Sequence, residues 1–299
     1  MTTVLIDTDP GIDDALALLL AWGSPGVEVE AITTVAGNVA VERGTTNVFR
    51  LLALRRPQPP PTVAVGAAAP LARPLQTAAR YHGEDGLGDL DDWPPVILAP
   101  ASQGAAALIA ETTRRLGERL TLVALGPLTN LALALAAGGA ALAGIGRIVV
   151  MGGAVDVPGN VTPAAEFNMH VDPEAAARVF SADLPIDLVP LDATRQATLA
   201  RADLEAALAK TPGPLASRIA AFTRRAFRLD GGTMYLHDPL AVAAAADPTL
   251  VEWEEARLEI GADGATRRAA GASNCRVARR VDRARFLATF LERLCPGSS

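Results

Sequence analysis

Four aspartates within eight residues near the start of the chain are the side chains best suited to chemistry. They are Asp7, Asp9, Asp13 and Asp14. An apolar run leads into the turn at Pro10 and Gly11, and an alanine- and leucine-rich run leads out of it, which indicates a strand, a sharp turn and a helix. Open α/β sheets bind ligands at the carboxyl ends of their strands. Because so many negative charges repel one another unless a cation lies among them, the segment predicts a site for a hard cation.

These aspartates also have an ordinary structural interpretation. Asp13 and Asp14 fall in the first turn of the predicted helix, where acidic side chains interact favourably with the helix dipole. Asp7 or Asp9 would then be turn residues. The choice between the two interpretations depends on the rest of the chain.

Composition and charge restrict the class of protein. The chain has 299 residues, of which 50% are hydrophobic and 20% charged, so it is long and apolar enough for one large α/β domain or two small ones. A formal net charge of −6 argues against a nucleic-acid-binding surface. The amino terminus has no basic segment followed by a cleavable apolar stretch, and Cys275 and Cys295 form no disulfide framework. Both features favour the cytoplasm.

One long uncharged segment, residues 120–146, has enough residues to cross a bilayer. Three pairs of turn-forming residues interrupt it: Gly126-Pro127, Thr129-Asn130 and Gly138-Gly139. Strand, loop, helix and turn therefore fit this segment better than a membrane span.

Apolar runs that suit strands alternate with helical patterns over the first two thirds of the chain. The predicted strands are 3–6, 28–35, 62–65, 120–125, 145–151 and 185–190, and the predicted helices are 13–22, 41–55, 102–116, 128–137 and 172–182. This alternation predicts an α/β fold with an open, mostly parallel central sheet flanked by helices. Helices at 201–209, 212–228 and 238–246, strands at 253–260 and 265–270 and a helix at 282–294 follow. With no linker in view, the prediction is a single domain over residues 1–299.

Other polar groups are predicted to join the aspartates at the same edge of the sheet. Asp9 and Asp14 are the natural cation ligands, and Asp238, just before Pro239, offers a third carboxylate, although it also suits a plain helix cap. The predicted strand ends bring in Asn38 and the segment that begins at Leu125. Residues 159–170 are rich in amides with one carboxylate and one histidine, a set that hydrogen-bonds sugar hydroxyls or satisfies its own loop.

Seven segments together resemble the inosine-uridine-preferring nucleoside hydrolase family, Ca²⁺-dependent enzymes that cleave the N-glycosidic bond of ribonucleosides. They occur in family order between residue 4 and about residue 245. The segments are Asp7-Thr8-Asp9-Pro10-Gly11-Ile12-Asp13-Asp14, Ala36-Gly37-Asn38, His82-Gly83-Glu84-Asp85-Gly86-Leu87-Gly88, Gly126-Pro127-Leu128-Thr129-Asn130, Met151-Gly152-Gly153, Glu166-Phe167-Asn168 and His237-Asp238-Pro239. The aspartate motif is highly specific, whereas His-Asp-Pro alone is not.

The resemblance implies a Ca²⁺ site, a ribonucleoside substrate and a role for each matched residue. The implied Ca²⁺ ligands are Asp9, Asp14, Asp238 and the backbone carbonyl of Leu125. The implied substrate-binding residues are Asp13, Asn38 and Asn168 at the ribose diol, Asn160 and Glu166 at the 5′-hydroxyl, and His82 and Met151 in the pocket. Asp9 is implied as the general base for the metal-bound water, and His237 as the proton donor to the leaving base, a task suited to a histidine that titrates near pH 7. Homo-oligomers, dimers or tetramers, are common in the family.

Two other functions remain open. Aspartyl-phosphate phosphatases also begin with a strand and Asp-x-Asp, but Lys210, the sole lysine, lies in an alanine-rich stretch without an acidic pair. A nucleoside- or ribose-binding protein without turnover would need neither a base at Asp9 nor an acid at His237. The base that the substrate carries is also open. Residues 222–235, the region where the family varies its contacts to the base, hold three arginines and few aromatic or amide groups. We interpret these arginines as a solvated helix face.

Overall fold

The computed structural model describes residues 1–138 and 142–294. Gly139 and Cys295, on which parts of the sequence argument rest, lie outside this range. Residues 1–299 as a single domain therefore stay a prediction. None of the helices in the described ranges is long and apolar enough to cross a membrane.

The centre of the fold is an eight-stranded sheet with the order β3-β2-β1-β4-β5-β6-β12-β9. Its strands are β1 (Thr2–Thr8), β2 (Val27–Thr34), β3 (Thr62–Val65), β4 (Leu120–Ala124), β5 (Arg147–Met151), β6 (Ile186–Val189), β9 (Val251–Ala256) and β12 (Cys275–Val281). All neighbouring pairs are parallel except β9 with β12, which is antiparallel. The sheet has its switch point at β1, because β2 and β3 continue to one side of it and β4 to the other. A crevice at such a point is where α/β sheets bind ligands.

Short strands outside this sheet form two hairpins. They are β7 (Thr198–Ala200) with β8 (Thr233–Tyr235), and β10 (Leu258–Ile260) with β11 (Thr266–Arg268). The helices are α1 (Ile12–Gly23), α2 (Val41–Arg55), α3 (Ala79–His82), α4 (Ala105–Leu116), α5 (Thr129–Ala137), α6 (Phe167–Val171), α7 (Pro173–Phe180), α8 (Leu191–Thr194), α9 (Arg201–Leu208), α10 (Pro214–Leu229), α11 (His237–Ala246) and α12 (Arg283–Leu294).

Apolar side chains fill both faces of the sheet. Successive residues of a strand point to opposite faces, so Val4 and Ile6 belong to one apolar cluster and Leu5 to the other. The first cluster includes buried residues of α1, α10, α11 and α12, and the second those of α4, α5 and α7. Strands buried on both faces read as nearly continuous apolar runs, as in the central part of β1 and in β4.

The predicted fold class, an open and mostly parallel sheet flanked by helices, is confirmed. Three strands were not predicted, the short β7 and β8 and, in the central sheet, β12, which pairs between β6 and β9. Its arginines hide the strand pattern, yet Arg276 pairs with the buried Asp187 and Arg279 with Asp192. The predicted strand 253–260 is also divided, because β9 ends at Ala256 and β10 begins at Leu258.

Candidate functional site

A cavity of about 390 Å³ contains most of the residues that the sequence singles out. Ten of the twelve line it: Asp13, Asn38, His82, Leu125, Met151, Asn160, Glu166, Asn168, His237 and Asp238. The other two, Asp9 and Asp14, are fully buried and bind the lining residue Asn38. The residues lie at or after the carboxyl ends of β1, β2, β4 and β5, at the end of α3, or at the start of α11. The structure therefore brings the predicted site residues together at the switch point of the sheet.

The turn between β1 and α1 holds Asp14 in a fixed position. Its Oδ1 accepts a hydrogen bond from the Thr8 hydroxyl at 2.5 Å. Its Oδ2 accepts from the backbone N–H of Gly11 at 2.9 Å and from the Asn38 side-chain amide at 3.0 Å. The carboxylate thus satisfies one of the free N–H groups at the start of α1 and ties β1 to the end of β2.

Asp9 is packed more tightly and is left incompletely bonded. Its Oδ2 accepts the backbone N–H of Asn38 at 2.6 Å, whereas its buried Oδ1 has no hydrogen-bond partner among the described residues. A Cβ at Gly37 would lie 2.0 Å from Oδ2, and a Cβ at Gly126 would lie 2.6 Å from Oδ1. Glycine is therefore required at both positions for the chain to approach this carboxylate.

Asp7 lies behind this site and has a structural role. Its Oδ1 accepts hydrogen bonds from the Thr33 hydroxyl at 2.5 Å and from the Asn130 amide at 2.7 Å. Burial raises the pKa of Asp7 to about 7, although these two hydrogen bonds oppose the shift. Asp7 joins β1 to β2 and to the start of α5, and it does not line the cavity.

Three carboxylates, Asp14 among them, crowd one another at the cavity. Oxygen atoms of Asp13, Asp14 and Asp238 all lie within 4.8 Å of one another. Burial, and then the charge of Asp14, raise the pKa of Asp13 to about 8. Burial and neighbouring carboxylates also hold the pKa values of Asp9 and Asp238 well above the ordinary range. Buried like charges of this kind are stable in ionised form when a cation neutralises them.

This donor set fits a hard cation. All of its members are oxygen atoms, and Asp9 Oδ1 is a buried acceptor that a cation would satisfy. The three clustered carboxylates include Asp13, so this residue lies beside the predicted ligands Asp14 and Asp238.

The loop between β5 and α6 presents amide and carboxylate groups to the cavity. Asn168 donates from its side-chain amide to the carbonyls of Leu125 at 2.7 Å and Met151 at 3.1 Å. Glu166 is buried and accepts backbone N–H groups with both oxygens, including those of Gly153 and Asn168 at 2.9 Å each. Asn160 is exposed, and its Oδ1 accepts the N–H of Phe167 at 2.9 Å. These bonds order the loop and fix its polar groups at the cavity wall.

His82 ends α3 and is held as a neutral ring. Its Nδ1 accepts the backbone N–H of Ile12 at 3.0 Å, so the ring proton is on Nε2. Burial lowers the pKa of His82 to about 3, with smaller contributions from His237 and Arg225. Asp13 Oδ1 lies 4.0 Å from the same Nδ1, but a neutral ring with Nδ1 as acceptor makes no ion pair with it.

His237 begins α11, and its Nδ1 lies 2.7 Å from the hydroxyl of Thr194 in α8. Burial, and then Arg195, lower the pKa of His237 to about 4. This pKa lies below the range near pH 7 that suits a proton donor. The tautomer decides what the ring offers: when Thr194 donates to Nδ1, Nε2 carries the hydrogen and is a donor.

Three polar residues of the cavity lining were not predicted as site residues from the sequence: Tyr81, Asp230 and Tyr235. The rings of Tyr81 and His82 meet edge to face at 5.0 Å, and those of Tyr235 and His237 stack at 5.4 Å. A signal was present, since an aromatic residue lies one or two positions before each of these histidines.

The sequence suggested that Arg225 belongs to a solvated helix face, but it does not. It is half-buried and donates to the carbonyls of Tyr81 at 3.1 Å and Arg80 at 2.9 Å, and to Asp89 at 3.0 Å. The neighbouring Arg224 and Arg228 are exposed, as predicted. Arg225 therefore attaches α10 to α3 instead of facing solvent.

Comparison with known proteins places these observations in context. The profile of the inosine-uridine preferring nucleoside hydrolase family matches residues 4–288. The chain is 48% identical over 203 residues to the pyrimidine-specific ribonucleoside hydrolase RihA of Salmonella agona (strain SL483), a match that covers 68% of this chain and 64% of that relative. It is 42% identical over 258 residues to the protein of the same name from Shewanella sp. (strain MR-7), with coverage of 84% and 80%. The match to the Salmonella relative thus spans less than two thirds of that protein.

Solved structures share the fold over nearly the whole chain. A plant nucleoside hydrolase is 33% identical, with a TM-score of 0.91 and coverage of 99% of both chains. A purine-preferring ribonucleoside hydrolase from Gardnerella vaginalis is 31% identical, with a TM-score of 0.92 and coverage of 98% of both chains.

Proposed function

Since the chain belongs to the inosine-uridine preferring nucleoside hydrolase family, we propose that it hydrolyses the N-glycosidic bond of ribonucleosides and releases ribose and the free base. The observation that carries this proposal is the cavity at the switch point of the sheet. It combines clustered carboxylates, sugar-binding amides and a histidine. This set matches what the reaction demands: acceptors for hydroxyls, negative charge near a developing oxocarbenium ion, and a proton donor for the leaving base.

Asp9, Asp14, Asp238 and the carbonyl of Leu125 are the proposed ligands of a Ca²⁺ ion. Their oxygen donors and mutual repulsion support a hard divalent cation. When bound, the ion supplies positive charge among these carboxylates and lowers the pKa of water at the site.

The sugar is proposed to lie between the aspartate turn and the loop after β5. Asp13, Asn38 and Asn168 bind the ribose diol, and Asn160 and Glu166 bind the 5′-hydroxyl. Oxygen atoms of carboxylates and amides accept more than one hydrogen bond, so the backbone contacts of Glu166 leave it able to accept a hydroxyl as well. Asn160 and Glu166 are both fixed by hydrogen bonds to the backbone before the substrate binds, which lowers the free-energy cost of orienting the sugar.

Asp9 is the proposed general base, and it takes a proton from the attacking water. Its unpartnered Oδ1 offers a lone pair that no described residue uses. Negative charge of the buried carboxylates stabilises the positive charge that develops on the sugar as the bond breaks.

His237 is the proposed proton donor to the leaving base. Thr194 fixes the orientation of its ring, and Tyr235 stacks against it. A protonated ring donates from Nδ1 to the Thr194 hydroxyl and from Nε2 to the base, and transfer of the Nε2 proton leaves a neutral ring with its hydrogen on Nδ1. His82 and Met151 are the proposed lining of the pocket on the side of the base.

Other features stay predictions. They are a cytoplasmic location, a homodimer or homotetramer, and the absence of nucleic-acid and membrane partners. The relatives differ in the base that their names state, being pyrimidine-specific in one case and purine-preferring in another.

The experiment that tests the proposal is ribose release from a panel of purine and pyrimidine ribonucleosides, with Ca²⁺ present and with a chelator. We expect release that the chelator abolishes and that added Ca²⁺ restores. Phosphate release from phosphomonoesters, or nucleoside binding without ribose release, would instead support the phosphatase or the binding protein. Release that is indifferent to the chelator would refute the cation assignment while leaving the hydrolase in place.

A further inference from the structure

The cavity wall contains a hydrogen-bonded pair that none of the roles proposed above uses. Tyr81 lies in α3, and Asp230 is the residue directly after α10. The Tyr81 hydroxyl donates to Asp230 Oδ2 at 2.6 Å, and both residues line the cavity.

This pair offers acceptors and no donor to a ligand. The single hydroxyl hydrogen of Tyr81 is committed to Asp230, and burial, together with Asp230, raises the pKa of Tyr81, so the phenol stays neutral. What remains is a lone pair on the tyrosine oxygen and Asp230 Oδ1, which makes no hydrogen bond to a described residue.

No positive group in the described cavity lining neutralises the pair from within. Arg225 of α10 contacts α3 but does not line the cavity. Its guanidinium binds Asp89 and the carbonyls of Tyr81 and Arg80. A ligand at this wall therefore meets negative charge and lone pairs.

The pair lies on the side of the cavity assigned to the base. Tyr81 contacts the ring of His82, and Tyr235 lines the same cavity. Tyr235 in turn stacks on His237, the proposed donor to the leaving base. The proposed ribose ligands belong to other segments, the aspartate turn, the end of β2 and the loop after β5.

We propose that Tyr81 and Asp230 select ribonucleosides whose base carries an exocyclic amino group over those with a carbonyl at the same position. The inference rests on the hydrolase function proposed above and names its substrate class. An amino group has two hydrogens, which match the two acceptors, one on each residue. A carbonyl oxygen at the same place would face two acceptors and leave all three groups without a donor, and an unpaired polar group of this kind is what lets a site reject an analogue.

The pair is also held rigidly enough to discriminate. Arg225 fixes the backbone of α3 against α10, and the N–H of Asp230 bonds to the carbonyl of Ala226 at the end of α10. The Asp230 side chain takes no part in that backbone bond. A substitution there changes the cavity wall while leaving the helix end intact.

The test compares two matched pairs of substrates, cytidine with uridine and adenosine with inosine, in the full-length Ca²⁺-loaded enzyme. Within each pair the sugar is identical, and the bases differ in the amino or carbonyl group and in the protonation of the adjacent ring nitrogen. A 4-nitrophenyl riboside, whose leaving group has no such edge, reports hydrolysis independently of this wall. For whichever pair is hydrolysed, we expect kcat/KM to favour the amino member by about tenfold or more, the effect of one well-placed hydrogen bond.

Two variants and a control localise the preference. Asp230→Asn replaces one acceptor oxygen with an amide that also donates, so the amino-to-carbonyl ratio should fall by about tenfold. Tyr81→Phe keeps the ring and removes the second acceptor, so the ratio should fall by a smaller factor. The control Asp203→Asn makes the same chemical change on the exposed start of α9 and should leave the ratio unchanged.

The outcomes separate this inference from the function on which it rests. Hydrolysis with a preference for the carbonyl member, or with a ratio that Asp230→Asn does not change, overturns the role of the pair and leaves the hydrolase standing. No release from any nucleoside or from the 4-nitrophenyl riboside overturns the proposed function itself. A lower ratio in both variants, with activity on the 4-nitrophenyl riboside retained, supports the inference.

Discussion

Asp9 is fully buried, and one of its carboxylate oxygens has no hydrogen-bond donor among the described residues. An unsatisfied buried oxygen costs about 1–3 kcal/mol, and more when it is charged, so the fold retains it at a net loss of stability. Gly37 and Gly126 approach this carboxylate so closely that a Cβ at either position would collide with it. A destabilised and tightly enclosed acid of this kind is expected where a cation and a reacting water must both be reached.

Replacement of Asp9 tests both of its proposed roles. Asp9→Ala should abolish turnover of natural nucleosides and of the 4-nitrophenyl riboside, because the base and one cation ligand are lost together. Steady-state ribose and nitrophenol release measure the two reactions. Asp203→Ala, at an exposed site on α9, is the matched control and should retain activity on both. Turnover retained by Asp9→Ala would refute the assignment of base and ligand.

The loss of kcat on replacing His237 should be larger for substrates with a poorer leaving group. His237→Ala is expected to reduce kcat on natural nucleosides by about 10²–10⁴-fold, the usual contribution of a positioned acid, because their bases need a proton donor. The 4-nitrophenyl riboside departs as a stable anion and should lose far less. His170→Ala removes a histidine that does not line the cavity and serves as the control. Equal losses on both substrates would remove His237 from the acid role.

At the scale of elements, the contact of α10 with α3 decides the shape of the pocket on the base side. Tyr81 and His82 belong to α3, a single helical turn within the long connection from β3 to α4. Such a short helix has little stability of its own, so tertiary contacts must hold it. Arg225 supplies them with bonds to three carbonyls of α3 and to Asp89.

Removal of the Arg225 guanidinium should weaken substrate binding and leave the rate of the chemical step nearly unchanged. Arg225→Met keeps the apolar stem and deletes the guanidinium, so we expect KM to rise by about tenfold with kcat changed much less. The free energy of unfolding should fall by only about 1–2 kcal/mol, because Asp89 is partly exposed and solvent screens its ion pair with Arg225. Arg224→Met, at the exposed neighbour, is the control. A variant whose KM equals that of the parent would show that α3 holds its position without Arg225.

At the scale of the whole molecule, the buried carboxylates make stability depend on pH and on a cation. The pKa of Asp13 is about 8 in the fold and 3.8 in the unfolded chain. Between those values the folded protein holds a proton that the unfolded chain has released. The stability that this provides is fully present below pH 3.8 and is lost as the pH rises through 8. Burial lowers the pKa of His82 to about 3 and that of His237 to about 4, so most of their contribution to stability is in place at pH 6.5, the pKa in the unfolded chain.

Between pH 6.5 and 8 the change in the free energy of unfolding therefore comes mainly from the carboxylates. With a chelator present, we expect the free energy of unfolding to fall by on the order of 2 kcal/mol across this window. With Ca²⁺ at about 100 times its Kd the fold should gain about 2.7 kcal/mol, and the loss with rising pH should shrink, because the ionised carboxylates are then neutralised. Urea denaturation at both pH values measures each quantity. Stability that rises across the window in the presence of chelator would contradict this account.

Much of the fold could be read from the chain because local pattern and final environment agree. The runs in β1, β4 and β5 are mostly apolar, and most of their residues end up buried between helices on the two faces of the sheet. The helix predicted at 172–182 appears as α7, with Asp172 as its cap and Pro173 in its first turn. β12 was missed because its arginines become compatible with a sheet only when distant acids such as Asp187 pair with them.

The sequence by itself determined the chemistry available to this protein: four aspartates around one turn, the amide-rich loop and three histidines, in the order of a known family. Those are properties of residue type and spacing. Only the tertiary structure decided which of them share a cavity, that Asp7 stays behind it, that His82 and His237 are neutral, and that Tyr81 faces Asp230. Burial, hydrogen-bond partners and pKa are set by segments as far apart as residues 81 and 230, and no local pattern contains that information.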